Sequence, residues 1–211
     1  MVTVSFDSLN SYTDLGLFLA EATIEEPAPK RTVADVPCRD GALDLSYALT
    51  STMKYKNRVI TLTFRVIDYT NDWVNVFGNI ARQLHGKKMK VVFSSDPNWY
   101  WDSFITVEHT SEFNVGTIEV ICNAYPYKRK DVSLSTTATS SGSTVTATVT
   151  QQTIVPTVTS ANAITITTGG NTYSFAAGTH LDPALQLAAG THSLVVKGSG
   201  AVTIAYKDGS F

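Results

Sequence analysis

The sequence predicts a mainly β protein, and two observations support this prediction. Apolar side chains alternate with threonine and other polar residues in many short runs, which is the period of strands that bury one face. Turns that contain glycine, asparagine or proline separate several of these runs at short intervals, as antiparallel sheets require. Only one stretch of the chain has the three- and four-residue spacing of an amphipathic helix.

A change in composition near residue 130 predicts two domains. Residues 1–130 hold 14 of the 16 Lys and Arg and 15 of the 18 Asp and Glu, whereas residues 131–211 hold 27 Ser and Thr among 81 residues. A shift this sharp is typical of a domain boundary. We therefore expect one domain over residues 1–130 and a second over residues 131–211.

The first segment is predicted to combine strands with one helix. Alternation indicates strands over residues 61–66, 89–93, 105–107 and 118–122. Between them, Trp73, Phe77, Ile80 and Leu84 form one apolar stripe, and Gly86 is expected to end the helix. Asn71 is the predicted N-cap and Asp72 lies in the first turn, where a carboxylate is favourable.

The second segment is predicted to be an all-β sandwich or jelly-roll-like module. Threonine alternates with valine, alanine or isoleucine over residues 144–150 and 164–166, and further alternating runs lie at 173–175, 194–196 and 202–206. Gly169 and Gly170 indicate a tight turn. The stretch from Ser140 to Ser143 is predicted to be a hairpin loop.

Charge and hydropathy exclude several classes of protein. The net charge is −2, without the basic excess of a nucleic-acid binder. No apolar run approaches the roughly 20 residues of a membrane span. The first ten residues lack the features of a secretory signal, so we expect assembly in the cytoplasm of the producing cell and unpaired thiols at Cys38 and Cys122.

The sequence carries no recognisable catalytic or metal-binding motif. The four histidines have no HxxxH or HExxH spacing, and no nucleophile elbow or phosphate-binding loop occurs. The scattered acidic residues lack the spacing of a calcium loop, which favours a solvated acidic face. We expect no enzymatic activity, no metal and no cofactor.

The aromatic cluster Asn98-Trp99-Tyr100-Trp101 is the strongest candidate for a binding feature. Aromatic rings stack on sugars and are frequent at protein interfaces. We favour a strand that packs aromatic side chains on both faces of the first domain, with an interface role for part of the cluster as the second hypothesis.

Several phrases in the first 130 residues resemble the distal tail protein family of long-tailed bacteriophages, in the branch whose hosts are Gram-positive. Their order is Asp14-Leu15-Gly16-Leu17, Val36-Pro37-Cys38-Arg39-Asp40-Gly41, Leu43-Asp44-Leu45, Tyr55-Lys56-Asn57-Arg58, Asp96-Pro97-Asn98-Trp99-Tyr100 and Pro126-Tyr127-Lys128. The candidate structural and interface residues on these phrases are Leu15, Gly16, Val36, Pro37, Arg39, Asp40, Gly41, Asp44, Tyr55, Arg58, Trp99, Tyr100, Pro126 and Tyr127. Family members usually have glycine at the position of Cys38, so a positive φ there would strain the cysteine.

The resemblance implies a fold and a structural role. The N-terminal domain would be a β-sandwich with one helix and an extended arm, and the C-terminal domain a peripheral galectin-like sandwich. Six copies would form a ring at the distal end of the tail, between the tail tube protein and a tail-associated tip protein, with receptor-binding proteins as further partners. DNA would pass through the channel without sequence-specific binding, and the protein would not insert into a membrane.

The segment from Leu17 to Asp40 contains Pro27, Pro29 and Pro37, which disfavour regular sheet pairing. Such a segment does not suit the inside of its own sheet, so we expect it to run as an arm or as an edge connection. A loop folded back on its own domain is the alternative that the sequence leaves open, and the resemblance favours an arm that contacts a neighbouring subunit. The alternative to the tail-ring hypothesis is a carbohydrate-binding module or adhesin that recognises host cell-wall glycans. A third hypothesis, a glycan hydrolase, requires a pair of carboxylates in a cleft.

Overall fold

The computed structural model describes residues 2–38, 40–46, 48, 53–66, 73–112 and 115–211. The chain divides into two compact units, unit 1 (Met1–Pro126) and unit 2 (Tyr127–Phe211). In the part of the chain that is described, no helix has both the length and the apolar character needed to cross a membrane.

Unit 1 is built on a seven-stranded antiparallel sheet with one helix. Its elements are β1 (Val4–Phe6), β2 (Leu9–Asn10), β3 (Leu17–Ile24), β4 (Val33–Ala34), β5 (Leu43–Asp44), β6 (Arg58–Val66), α1 (Trp73–Leu84), β7 (Lys88–Phe93), β8 (Trp101–Glu112) and β9 (Val115–Ala124). The strand order of the large sheet is β2-β1-β7-β8-β9-β6-β3, and β4 pairs only with β5.

The large sheet curls so that its two ends share one core. Phe6 on β1 meets Phe64 on β6 edge-to-face at 6.3 Å, although three strands separate β1 from β6 in the sheet order. Both rings are fully buried, and Leu17 on the edge strand β3 belongs to the same core. Alternation places Ile60, Leu62, Phe64 and Val66 on this inner face, as the period of a half-buried strand requires.

The predicted helix is confirmed over Trp73–Leu84. Ile80 and Leu84 are buried in the core, and the Phe77 ring contacts the His109 ring at an interplanar angle of 34°, with ring centroids 3.9 Å apart. Gly86 follows the helix with φ +74°, a left-handed conformation that glycine adopts without steric cost. Asn71 and Asp72, the predicted cap and first-turn residue, lie outside the described residues.

The proline-containing segment begins as an edge strand, which is one of the two courses predicted for it. Its first eight residues, Leu17–Ile24, pair with β6 as the edge strand of the large sheet. The three prolines all follow this strand, so the excursion from the sheet begins at Glu25 and ends before Arg58. Proline lacks a backbone donor, and for that reason it marks where the pairing stops.

Unit 2 is an antiparallel sandwich of two four-stranded sheets. Its strands are β10 (Lys128–Ala138), β11 (Ser143–Val149), β12 (Thr157–Ser160), β13 (Ile164–Thr168), β14 (Asn171–Phe175), β15 (Gly178–Leu181), β16 (Gly190–Gly198) and β17 (Gly200–Ser210). One sheet has the order β10-β17-β12-β15 and the other β11-β16-β13-β14. Leu194, Val196 and Ile204 are among the side chains that fill the core between them.

The turns of unit 2 match the sequence at one position and differ at another. Gly169 and Gly170, with φ +55° and +81°, close the β13–β14 hairpin as predicted. The stretch from Ser140 to Ser143 is not a hairpin loop, because β10 pairs with β17 while β11 pairs with β16. This connection instead crosses from one sheet to the other. The predicted fold class, mainly β with one helix and several antiparallel sheets, is confirmed.

Candidate assembly interface

The candidate residues are distributed over four places in the fold. The turn before β3 contains Leu15 and Gly16, and the residues just before β8 are Trp99 and Tyr100. Pro126 ends unit 1 and Tyr127 begins unit 2. The remaining residues lie on the segment between β3 and β6 or where it returns to β6: Val36, Pro37, Asp40, Gly41, Asp44, Tyr55 and Arg58. Arg39 lies outside the described residues.

Residues 25–57, which we call the arm, leave the sheet as an antiparallel excursion. Near its base, the amide of Lys56 donates to the carbonyl of Ala28 and the amide of Lys30 donates to that of Lys54, around a bridge between Pro29 and Tyr55. Farther out, β4 and β5 pair through Val33 and Asp44. In the described residues, the two sides of the arm are therefore paired with each other in antiparallel fashion beyond Glu25, whose amide still donates to the carbonyl of Val59 on β6.

The outer part of the arm presents apolar side chains to solvent. Val33 is 53% exposed, Val36 41% and Leu45 39%. The two-residue strands of the arm have little apolar surface of their own to bury, and an isolated hairpin is marginally stable in water. These side chains leave apolar surface exposed on the described part of the arm.

Asp44 fixes the geometry of the β4–β5 hairpin. Hydrogen bonds from the Ser46 hydroxyl and amide, and then from the Arg31 guanidinium at 3.1 Å, lower the pKa of the Asp44 carboxyl to about 2. The Ser46 hydroxyl in turn accepts from the amide of Thr32 across the hairpin. The carboxylate thereby joins both sides of the turn.

We expect the Asp44 carboxyl to titrate near pH 2 in a carbon-13 NMR experiment, well below its ordinary 3.8. The folded pKa is depressed, so the contribution of Asp44 to the hairpin is present above about pH 4 and is lost as the pH falls toward 2. Ser46→Ala should raise the midpoint more than Arg31→Gln, because the Ser46 hydroxyl is the largest single cause of the shift, although alanine keeps the backbone amide. A wild-type midpoint near 3.8 would contradict this assignment.

Cys38 adopts the conformation that glycine favours. Its φ is +65°, and the side chain is exposed. Both cysteines are free; burial raises the pKa of the Cys122 thiol to about 12. A side chain in the left-handed region costs roughly 1–2 kcal/mol, so cysteine strains this turn where glycine would not.

Cys38→Gly is expected to raise the free energy of unfolding by about 0.5–1 kcal/mol, since relief of strain exceeds the extra backbone entropy of glycine in the unfolded chain. Chemical denaturation followed by tryptophan fluorescence measures the change. Cys38→Ala is the matched control, because alanine removes the thiol but keeps the Cβ atom. Equal stabilisation by alanine would show that the thiol, and not the backbone, is responsible.

Arg58 occupies the point where the arm returns to the sheet. Its side chain is 3% exposed, its guanidinium lies 4.6 Å from the centre of the Trp101 ring, and its Nε donates to the carbonyl of Pro126 at 2.9 Å. Its Nη2 lies 3.8 Å from the Glu26 carboxylate, which is 86% exposed. Burial lowers the pKa of the Arg58 guanidinium, and Glu26 opposes that shift.

These contacts connect three parts of unit 1. Glu26 is at the departure of the arm, Trp101 begins β8, and Pro126 is the last residue of the unit. The charged group is retained inside because a cation over an indole face and a charge-assisted hydrogen bond both compensate its desolvation. The geometry is that of a structural anchor for the arm.

The aromatic cluster proves to be mostly internal. Trp101 is 7% exposed and Tyr100 6%, and the Lys90 ammonium lies 4.1 Å from the centre of the Tyr100 ring. Trp99 is half-buried. Trp101 contacts Arg58 but is absent from the predicted set of interface residues. Alternation of inward and outward side chains along a strand could have predicted that Trp101 is buried. No spacing in the sequence connects it to residue 58.

Leu15 and Gly16 lie at a cleft beside the helix. Together with Val76 and Ile80 of α1, they line a cleft of about 360 Å³. Gly16 has φ +64°, which lets the chain turn from residue 15 into β3. The apolar side of α1 therefore lies next to the turn that contains Leu15 and Gly16.

The first and last residues of unit 2 are in contact with each other. The Tyr127 and Phe211 rings stack with centroids 4.6 Å apart and an interplanar angle of 22°. Among the residues that the structure describes, no group of three or more His, Cys, Asp or Glu side chains could hold a metal ion.

Comparison with known proteins identifies a structural relative of the whole chain. No protein-family model matches the sequence, and no curated protein matches it significantly. A matching solved structure is that of SPP1 Dit (gp 19.1), described as a paradigm of the hub adsorption apparatus in phages that infect Gram-positive bacteria. The TM-score is 0.68 over 100% of both chains, at 14% sequence identity. The chain therefore has, from end to end, the fold of a phage distal tail protein.

Proposed function

We propose that the protein is a structural component of the tail of a long-tailed phage, at the hub of its adsorption apparatus. The observation that carries this proposal is the match to SPP1 Dit over 100% of both chains. A single sandwich would be weak support, because common folds serve many functions. Here the match covers the whole length of both chains, and therefore both units.

In this proposal six copies form a ring at the distal end of the tail tube, with a central channel for DNA. Residues 1–130 build the ring, and the module of residues 131–211 lies at the periphery. Ring closure requires head-to-tail contacts, in which one surface of each copy meets a different surface of the next. The arm, with its exposed Val33, Val36 and Leu45, supplies one of these surfaces.

The proposed partners follow from that position. The ring contacts the tail tube protein on one side and a tail-associated tip protein on the other, and it holds receptor-binding proteins at its periphery. The near-neutral chain, with a net charge of −2, suits a channel through which DNA slides, because a strongly basic wall would retain phosphates. The protein assembles in the host cytoplasm, resides in the virion and has no catalytic role.

Light scattering coupled to size-exclusion chromatography tests the ring. We expect the mass of six 22.8 kDa chains for the wild type, and ring-shaped particles in negative stain. The triple variant Val33→Asp, Val36→Asp, Leu45→Asp should remain monomeric, because burial of three carboxylates against a neighbour is unfavourable. All three side chains are exposed in the monomer, so its own core is unaffected.

Leu181→Asp is the matched control for this experiment. Leu181 is 60% exposed and belongs to unit 2, outside the residues 1–130 that are proposed to build the ring. It should assemble like the wild type. A monomeric wild type at high concentration would overturn the ring, whereas a hexamer formed by the triple variant would overturn the role of the arm alone.

A further inference from the structure

The large sheet of unit 1 carries a row of carboxylates across four neighbouring strands. Glu108 on β8 lies directly opposite Glu119 on β9, and Glu119 lies opposite Thr63 on β6. Thr63 lies in turn opposite Glu21 on the edge strand β3. We call Glu21, Glu108 and Glu119 the acidic row.

The acidic row lies on the outer face of the sheet. The preceding or following residues Val107, Val120 and Leu62 are buried in the core, and side chains alternate between the two faces of a strand. In the described residues, no carboxylate of the row forms an ion pair, although Arg65 lies two residues beyond Thr63 on the same face. Like charges directly opposite each other destabilise a sheet, so the row is unfavourable in the isolated chain.

The base of the arm carries a set of cations with the same defect. Lys30 lies opposite Lys54, and Lys56 lies two residues beyond Lys54 on the same face, because side chains alternate around the bridge between Pro29 and Tyr55. All three lysines are exposed, and none forms an ion pair in the described part of the chain. We call Lys30, Lys54 and Lys56 the basic row.

The two rows match in charge and in spacing. Each has three charges, two of which lie directly opposite each other at about 5 Å between Cβ atoms. The third charge is about 10 Å away across two strands in the acidic row, and about 7 Å away along one strand in the basic row. Lysine has a flexible four-carbon stem that compensates for this difference. Contact between the rows would replace repulsion on each surface with attraction.

The rows do not meet within one copy, since the ion pairs of the described residues are Arg31–Asp44 and Arg58–Glu26. A bound metal ion does not balance the carboxylates either, because no group of three or more acidic, histidine or cysteine side chains in the described residues could hold one. A head-to-tail contact requires two different surfaces on each copy that complement each other. The acidic and basic rows are two such surfaces.

We propose that the basic row of one copy docks on the acidic row of the next copy. This inference rests on the proposed ring and names the surface that receives the base of the arm. The exposed charges of the two rows then select the neighbour and fix the position of the arm on its sheet, as complementary charges do at other interfaces.

Charge reversal in the full chain tests this contact, with light scattering after size-exclusion chromatography as the measurement. The arm variant carries the changes Lys30→Glu, Lys54→Glu and Lys56→Glu. The row variant carries the changes Glu21→Lys, Glu108→Lys and Glu119→Lys. Each variant alone should have the 22.8 kDa mass of one chain, because like charges would now face each other between copies. Circular dichroism verifies that each variant keeps its strands.

The two variants mixed in equal amounts should form a hexamer in which they alternate. The reversed arm of one variant then meets the reversed row of the other, and the unchanged arm meets the unchanged row. Every contact around an even-numbered ring thereby regains opposite charges. A single chain that carries all six changes should assemble for the same reason.

The matched control reverses three exposed lysines outside both rows, Lys87→Glu, Lys88→Glu and Lys197→Glu, and has the same net charge of −8 as the arm variant. It should assemble like the wild type. The contact would be overturned by a hexamer of either variant alone, by a mixture that stays monomeric, or by a control that also fails to assemble. A monomeric wild type would overturn the ring itself, so the two failures are distinguishable.

Discussion

Replacing Arg58 by methionine is expected to lower the free energy of unfolding of unit 1 by about 3 kcal/mol. Two losses contribute. The carbonyl of Pro126 loses a buried hydrogen bond of 2.9 Å, and an unsatisfied buried acceptor costs roughly 1–3 kcal/mol. The Trp101 ring loses a desolvated cation over its face, worth roughly 2 kcal/mol in such sites. Methionine fills most of the space, so the cavity term is small.

The matched comparison is with Glu26→Gln and Arg58→Lys. Glu26 is 86% exposed and lies 3.8 Å from Nη2, so its loss should cost less than about 1 kcal/mol. Lysine keeps the cation but lacks the rigid fork that reaches Pro126, and should be intermediate. Tryptophan fluorescence in a urea titration suits the measurement, because Trp73, Trp99 and Trp101 all lie in unit 1. Equal losses for Glu26→Gln and Arg58→Met would show that the ion pair dominates.

The Arg58 anchor illustrates which parts of a site can be predicted from sequence. The family resemblance selected Arg58 and Pro126, which are in contact, although 68 positions separate them. It did not select Trp101, because a cation over an aromatic ring arises from the register of β6, β9 and β8 and leaves no spacing in the chain. Local patterns identify strands, but pairing determines which of their side chains meet.

The same distinction explains the fold-level results. The helix over Trp73–Leu84 and the turn at Gly169 and Gly170 follow from local periodicity and backbone preference, and both are as predicted. The stretch from Ser140 to Ser143 has the composition of a hairpin loop but joins two sheets. Local composition predicts that the chain turns at these residues. Whether the next strand pairs in the same sheet or crosses to the other depends on how the inner faces of the two sheets pack together.

Asp208→Ala is expected to lower the free energy of unfolding of unit 2 by about 2–3 kcal/mol. Asp208 is 5% exposed on β17, and its carboxylate accepts from the amide of Thr150 at 2.8 Å, from the Thr150 hydroxyl at 2.6 Å and from the amide of Gly209 at 2.9 Å. Hydrogen bonds to a charged acceptor contribute roughly 1.5–3 kcal/mol each. In the alanine variant, water can hydrogen-bond to the exposed Thr150, which reduces the loss of stability. Because Thr150 follows β11 in the other sheet, the carboxylate ties the two sheets together.

The variants Asp208→Asn and Asp182→Ala separate the effect of the hydrogen bonds between the sheets from the effect of removing a negative charge. Asparagine keeps an acceptor oxygen of the same shape, so Asp208→Asn should lose roughly half as much stability as Asp208→Ala. Asp182 accepts only a local bond in the described structure, from the amide of Ala184 two residues on, and Asp182→Ala should cost less than about 1 kcal/mol. Calorimetry gives the stabilities, and hydrogen exchange at the amides of β11 and β17 locates the loss. If Asp208→Ala leaves the hydrogen-exchange rates of both strands unchanged, the Asp208 carboxylate does not hold the two sheets together, and this role is wrong.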